Sequence, residues 1–367
     1  MLSAIIAFSL LIISHELGHF FAAKWSGIAV LEFSIGMGPK IFSVTKQGTM
    51  YSLRLLPIGG YVRMDGEDDG MEIPSQADSD GSRQDYNEYL RQADSENSSE
   101  EVAIGCAFPN APMGKRALTM IAGSAMNLLT ALFAMTLLVI SGGVIPSTVV
   151  DSYKEENISA QYGLMPGDKI MKINDGKIHI SSDIVYSMMR SNGKPLTFTV
   201  VRDGTTVVLP DIAFPTYEEQ GMTFSYPDFF CTRKSINPAT IVNEVFFRCI
   251  FIVKEVYSSI GGLFSGEIPI SELSGPVATT QAIGEVSKQG FESLVYFMVF
   301  ISINIGIMNL LPFPALDGGR LLLILIELIR GKPLRREAEG WINFAGFAAL
   351  MVLIVYVTYQ DILKLFG

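Results

Sequence analysis

Charge is scarce in this chain. Only 17% of its 367 residues are Asp, Glu, Lys or Arg, whereas water-soluble domains carry about a quarter. With a mean hydropathy of +0.35, that shortage argues against a freely soluble globular domain. Cysteine is scarcer still. Cys106, Cys231 and Cys249 show no CxxC spacing and cannot all pair, which excludes a complete disulfide framework or a cysteine zinc site. They read as small core residues. A basic surplus is also missing: 27 Lys and Arg face 37 Asp and Glu, a net charge of −10. No nucleic-acid partner is therefore expected.

Even the acidity is local. The stretch 65–101 holds thirteen acidic residues against Arg83 and Arg91, and the rest of the chain is close to neutral. Such a polar insert cannot bury enough apolar surface to fold by itself, so a solvated loop is expected. No twelve-residue calcium pattern with its central glycine occurs in it.

What the sequence has in quantity is long apolar runs. Crossing a hydrocarbon core of about 30 Å takes about 20 apolar residues. Four stretches qualify: Leu2–Trp25, Ala117–Ser141, Phe291–Leu311 and Ile342–Leu365. Leu321–Ile329 is too short to cross alone. The first stretch resembles a secretion signal but lacks a basic start and a small-residue cleavage site, so it reads as a retained helix. Basic residues stay cytoplasmic. Lys24, Lys115, Arg116, Arg320, Arg330, Lys332, Arg335 and Arg336 all fall on one side of a four-crossing topology. The N-terminus, region 142–290 and the C-terminus then lie outside.

Inside the first apolar run stands "HELGH", residues 15–19. On a helix, His15 and His19 project from one face, a turn apart, at the spacing that lets two imidazoles hold one Zn²⁺. Glu16 lies beside the first ligand and can serve as a base toward water. Three ionisable groups in five residues of a membrane helix each cost about 2.5–3.5 kcal/mol on insertion scales, and a metal offsets that cost. The chemistry indicated is peptide hydrolysis. Zinc requires a third protein ligand, and His179, in the outside region, is a poor candidate. A better one is Asp317 in "NLLPFPALDGG", residues 309–319. Prolines break a helix and glycines permit close backbone approach, and an unwound segment at membrane depth is tolerated only around a protein-lined or watery cavity. Asp317 as a helix N-cap is the competing reading. Asn309 can donate to a substrate carbonyl or tie off a freed backbone carbonyl.

"HELGH" on the first membrane helix and "NLLPFPALDGG" on a later one resemble the site-2 protease family of intramembrane zinc metalloproteases, most closely its bacterial sigma-E regulatory protease branch. The resemblance implies His15, His19 and Asp317 as zinc ligands, Glu16 as catalytic acid/base and Asn309 as a substrate-orienting residue. "AGSAMN", residues 122–127, is similar to the family's second-helix motif, with Ser124 where the family has proline and Asn127 as a polar contact to substrate. Residues 33–64, with the "GMGP" turn, read as β-hairpins and resemble the family's membrane-associated β-region, which presents substrate by strand pairing. "GLMPGD" at 163–168 opens a pattern resembling a PDZ domain. Strands are expected at Lys169–Ile173, Leu196–Arg202 and Thr206–Leu209, a helix at Ser182–Ser191, and Asn-Asp-Gly and Asp-Gly turns between them. Residues 238–258 carry Glu244, Arg248, Lys254 and Glu255 and read as an amphipathic helix on the outer membrane surface or at the substrate entrance. "SGPV", residues 274–277, also matches the family.

The expected fold is a polytopic α-helical membrane protein with about four transmembrane helices, a membrane-associated β-hairpin region and one extracytoplasmic PDZ (α+β) domain. Its parts are 1–64, the first helix and β-region; 65–111, the acidic insert; 112–141, the second helix; 142–215, the PDZ domain; 216–290, an amphipathic linker; and 291–367, the last two helices. The resemblance implies a zinc endopeptidase of the bacterial inner membrane. It would cut transmembrane segments of other proteins, such as anti-sigma factors after a first cut by an upstream site-1 protease, or remnant signal peptides. The alternatives are a membrane-anchored zincin acting on extramembrane peptides and a non-catalytic PDZ membrane scaffold with a relic metal site.

Overall fold

The computed structural model describes residues 2–67, 104–155, 157–219, 222–266, 269–270 and 273–366. Most of the acidic insert, 68–103, lies outside the described residues. The chain divides into two units, Met1–Ala131 with Ser259–Gly367, and Leu132–Ser258.

The first unit opens with α1 (Leu2–Ser26), followed by β1 (Val30–Lys46) and β2 (Thr49–Met64). The two strands wrap on each other: Ser34 stands opposite both Ser52 and Tyr61, so the first part of β1 is flanked on both sides. A buried carboxylate pins this arrangement. Glu32 accepts from Ser52 Oγ at 2.6 Å and from Arg54 Nη2 at 2.8 Å, and Arg54 also reaches Tyr61 and Ser34. Then come α2 (Met113–Ser141), which runs unbroken through Ser124 and continues into the second unit, and α5 (Pro276–Lys288), α6 (Phe291–Asn309), α7 (Asp317–Arg330) and α8 (Arg336–Phe366). Ala23, Ile28, Val30, Met64, Met120 and Ile324 form one core cluster. Leu11, Ile283 and Ile301 form another, joining α1, α5 and α6.

Three helices among the described residues are long and apolar enough to cross a membrane: Met113–Ser141, Phe291–Asn309 and Glu337–Lys364. At 14 residues, α7 extends about 21 Å and is too short for a crossing, as its sequence indicated. Basic residues gather at one end of the unit. Lys115 Nζ donates to the Ser26 carbonyl at the end of α1, Arg116 pairs with Glu327 at 2.5 Å, and Arg320 pairs with Glu67.

The second unit contains β3 (Ile145–Tyr153), β4 (Lys169–Ile173), β5 (Gly176–Lys177), α3 (Ser181–Met189), β6 (Leu196–Arg202), β7 (Thr205–Ile212), β8 (Thr216–Glu219), β9 (Met222–Ser225), β10 (Phe229–Lys234) and most of α4 (Pro238–Ser265). Its main sheet runs β10-β3-β4-β6-β7, with β5 on β4. Asn174 and Asp203 take left-handed conformations at the two turns, φ 49° and 48°, as such hairpins require. Inside the sheet, Ile170, Phe198, Val200 and Ile212 pack with Ile184 and Met188 of α3. The region 216–290, expected as a linker, contributes strands: β10 pairs with β3, and β8 with β9. β8 and β9 are only four residues each and the partner of β10 is remote, which leaves little local pattern to read. One face of α4 packs on this unit. Phe247 stacks on His179 at 4.1 Å and Phe251 meets Tyr186 edge-on. Glu244 is fully buried and its Oε1 accepts from Arg248 Nε, one turn along the helix, at 2.9 Å. The three cysteines are free.

Candidate metal centre

The break between α6 and α7 sets the site. After Asn309, residues 310–316 leave the helix, Ala315 takes a left-handed φ of 73°, and Asp317 starts α7, with Leu316 as the N-cap. Asp317 is thus not the capping residue. Gly318 and Gly319 let the new helix fold back on the break: a side chain on Gly318 would strike the carbonyls of Leu310 and Leu311, and one on Gly319 the carbonyl of Phe313. That fold-back aims the Asp317 carboxylate at α1.

Oδ2 of Asp317 lies 3.1 Å from Nε2 of His15 and 3.1 Å from Nε2 of His19. The two imidazole nitrogens are themselves 3.1 Å apart. The three atoms form a nearly equilateral triangle, and their residues could together hold a metal ion. A tetrahedral ion with bonds of about 2.0–2.1 Å keeps its ligands about 3.3 Å apart, so the triangle fits an ion of zinc's size.

Proton placement agrees. Nδ1 of His19 is 2.8 Å from the Thr119 carbonyl, which can only accept. The proton of the neutral ring therefore sits on Nδ1 and Nε2 presents a lone pair. Asp317 Oδ2 is buried without a hydrogen-bond donor. Electron pairs brought this close repel unless a cation lies among them.

Glu16, one residue beyond His15, points to the neighbouring face of α1. Its Oε2 accepts the Val62 N–H of β2 at 3.1 Å, and its side chain lies against Gly60. Because Val62 pairs with Phe33 of β1 yet gives its N–H to Glu16, that N–H belongs to the outer edge of the sheet.

The remaining candidates separate. Asn127 is fully buried, with Nδ2 3.4 Å from Nδ1 of His15. Asn309, the last residue of α6, is half-buried, and among the described residues no hydrogen bond joins it to the triangle. His179 is exposed and lies in the other unit. Sequence reasoning missed Gly123. A Cβ there would collide with His19 Nε2 and stand 2.8 Å from His15 Cε1; on the facing helix, a Cβ on Gly18 would meet the Ala122 carbonyl. The signal was present in "AGSAMN", whose glycine sits one residue before the position that drew attention.

A peptidase-like arrangement on membrane helices matches what comparison with other proteins finds. The model of peptidase family M50 matches residues 3–353. The chain is 32% identical over 417 aligned positions to the zinc metalloprotease RasP of Geobacillus kaustophilus, covering 100% of this chain and 98% of that protein. It is 33% identical to the regulator of sigma-W protease RasP of Bacillus subtilis and to the probable protease eep of Enterococcus faecalis, each over 99% of this chain and 98% of the relative. The chain belongs to peptidase family M50, the site-2 protease family, and is an integral membrane protein.

Proposed function

We propose that this protein is an intramembrane zinc endopeptidase that cuts transmembrane segments of other membrane proteins, with His15, His19 and Asp317 holding zinc. The observation that carries the reading is the 3.1 Å triangle of Nε2, Nε2 and Oδ2 drawn from the two ends of the chain. Family membership and the zinc metalloprotease relatives support it.

A bound zinc ion supplies Lewis acidity, which polarises a carbonyl and makes water nucleophilic near neutral pH. Glu16 takes the proton of the attacking water and delivers it to the leaving amine. The Val62 N–H holds the Glu16 carboxylate by hydrogen bonding to one oxygen, leaving the other for the proton. The outer edge of β2 lies at this base, so a substrate strand pairing there brings an extended peptide bond to it, where a helix would hide it. Asn309 at the helix end is assigned to orienting the substrate carbonyl.

Four crossings place α1 in the bilayer beside the three apolar helices. The basic cluster of Lys115, Arg116 and Arg320 supports a cytoplasmic location for that end. On this topology the β-rich unit is an extracytoplasmic PDZ domain of a bacterial inner-membrane protein, a filter for substrates that an upstream site-1 protease has already trimmed. The sigma-W regulator among the relatives supports anti-sigma-factor-like substrates.

The test is Glu16→Gln in the purified full chain, with metal analysis and cleavage of a model transmembrane substrate. Zinc at wild-type stoichiometry with cleavage abolished is expected. Retained turnover would overturn the role of Glu16, and metal-free wild-type protein would favour a scaffold.

A further inference from the structure

At 14 residues, α7 is too short to be held in depth by a bilayer it does not cross. Its contacts must therefore set where Asp317 stands. Asp317, Arg320, Ile324 and Glu327 recur at spacings of three and four, which puts them on one face of the helix. Ile324 packs with Ala23, Met64 and Met120. On either side of it stands an ion pair, and the two run in opposite senses. Arg320, in the first turn, donates to Oε1 of Glu67. Glu327, two turns on, accepts from Arg116 of α2 at 2.5 Å, and Arg116 is itself buried. Each pair leads back to the site. Glu67 Oε2 also accepts the N–H of Met64 at 3.4 Å, the next outward donor of β2 after the Val62 N–H that holds Glu16. Arg116 lies one turn before Thr119, whose carbonyl bonds His19.

We propose that the Arg320–Glu67 and Glu327–Arg116 ion pairs are the positioning residues of Asp317. They set the depth and rotation of α7, and with them the distance of its carboxylate from the two imidazoles. The inference rests on the assignment of Asp317 as a metal ligand. The apolar contact of Ile324 is non-directional and lets the helix slide; the pairs do not. A slide of one turn, about 5.4 Å, parts both pairs at once, and a buried charge left without its partner is costly. Glu327 lies ten residues beyond Asp317, about 15 Å along the helix, out of reach of the metal. Any effect of Glu327 on zinc has to travel through the placement of α7.

The experiment measures zinc affinity by chelator competition, and kcat on a model transmembrane substrate, for the folded fraction of the full chain in lipid nanodiscs. The variants are Glu327→Arg, Arg116→Glu, the exchanged pair that carries both, Glu67→Ala and Asp317→Ala. Each single change at an ion pair is expected to weaken zinc binding about tenfold or more, the range for groups that orient a ligand, and to lower kcat. The exchanged pair is expected to regain most of both. A loss of stability alone would not show this, because the molecules that did fold would bind zinc as wild type does. Should the charge reversals fail to fold, Glu327→Gln, which keeps the shape and removes the charge, takes their place beside Glu67→Ala. Wild-type zinc affinity in the folded Glu327 variant or in Glu67→Ala overturns the inference for that pair while leaving Asp317 a ligand. An exchanged pair no better than the weaker single variant overturns it as well. Unchanged zinc affinity in Asp317→Ala overturns the ligand assignment and this inference with it.

Discussion

Oδ2 of Asp317 and Nε2 of His19 lie 3.1 Å apart, although one residue begins α7 and the other sits in α1, near the opposite end of the chain. The site therefore exists only if the break between α6 and α7 folds back on the first helix. Asp317→Ala is expected to lower zinc affinity at least tenfold, read by metal analysis after dialysis against a chelator. Deleting residues 68–100 is expected to leave zinc in place. Zinc loss on that deletion would point to an acid of the insert as the third ligand, as a membrane-anchored zincin would have it.

Gly123 is expected to be as sensitive as a ligand. A methyl group there overlaps His19 Nε2 and crowds His15 Cε1, so Gly123→Ala must push the imidazoles or part α1 from α2. A displacement near 1 Å can cost about 100-fold in rate. The measurement is cleavage of a model transmembrane substrate beside zinc content, with yield from the membrane unchanged.

Asp361 of α8 caps a helix it does not belong to. Its carboxylate accepts the N–H of Gly275 at 3.2 Å and of Ala278 at 2.9 Å, the first turn of α5. Side-chain caps are worth about 1 kcal/mol. Asp361→Ala is expected to lower the unfolding temperature by about 2–4 °C, with Asp361→Asn closer to wild type because the amide oxygen still accepts.

The pH dependence of the β-rich unit is expected to follow Asp168. This carboxylate is fully buried. Burial alone would raise its pKa, but two 2.7 Å bonds from Arg202 and the N–H of Met165 outweigh that and hold it below the usual carboxylate range. A depressed pKa stabilises the folded state above the unfolded value of about 3.9, and the contribution is lost as pH falls through the folded value. Thermal unfolding of the full chain followed downward from pH 7 is expected to show this loss in wild type and not in Asp168→Asn. Asp168→Ala, which leaves the half-exposed Arg202 guanidinium with the Gly163 carbonyl alone and the Met165 N–H without its acceptor, is expected to cost about 1.5–3 kcal/mol.

Much of this was legible in the chain because its causes are local. His15 and His19 share a face through the helical repeat, and the strands at 169–173 and 196–202 were read from alternation and turn residues that the folded chain uses as expected. Other features had no local cause. β10 exists because β3 offers it an edge; Gly123 looked like any helix glycine until α1 lay against it. The contact of Asn127 with His15 depends on how two helices are rotated relative to each other, a property of neither segment.

Sequence by itself determined that this protein carries ionisable chemistry in an apolar helix, since three ionisable groups in five residues of such a run cost too much to bury without a partner to offset them. It also determined where the chain must break, because Pro312 and Pro314 forbid a continuous helix. Tertiary structure alone decided that the break faces the histidines, that β2 lies over Glu16, and that His15 leans on an amide while His19 leans on a carbonyl. Those choices are distances of a few ångströms between remote segments, set by which helices pack closely enough to touch.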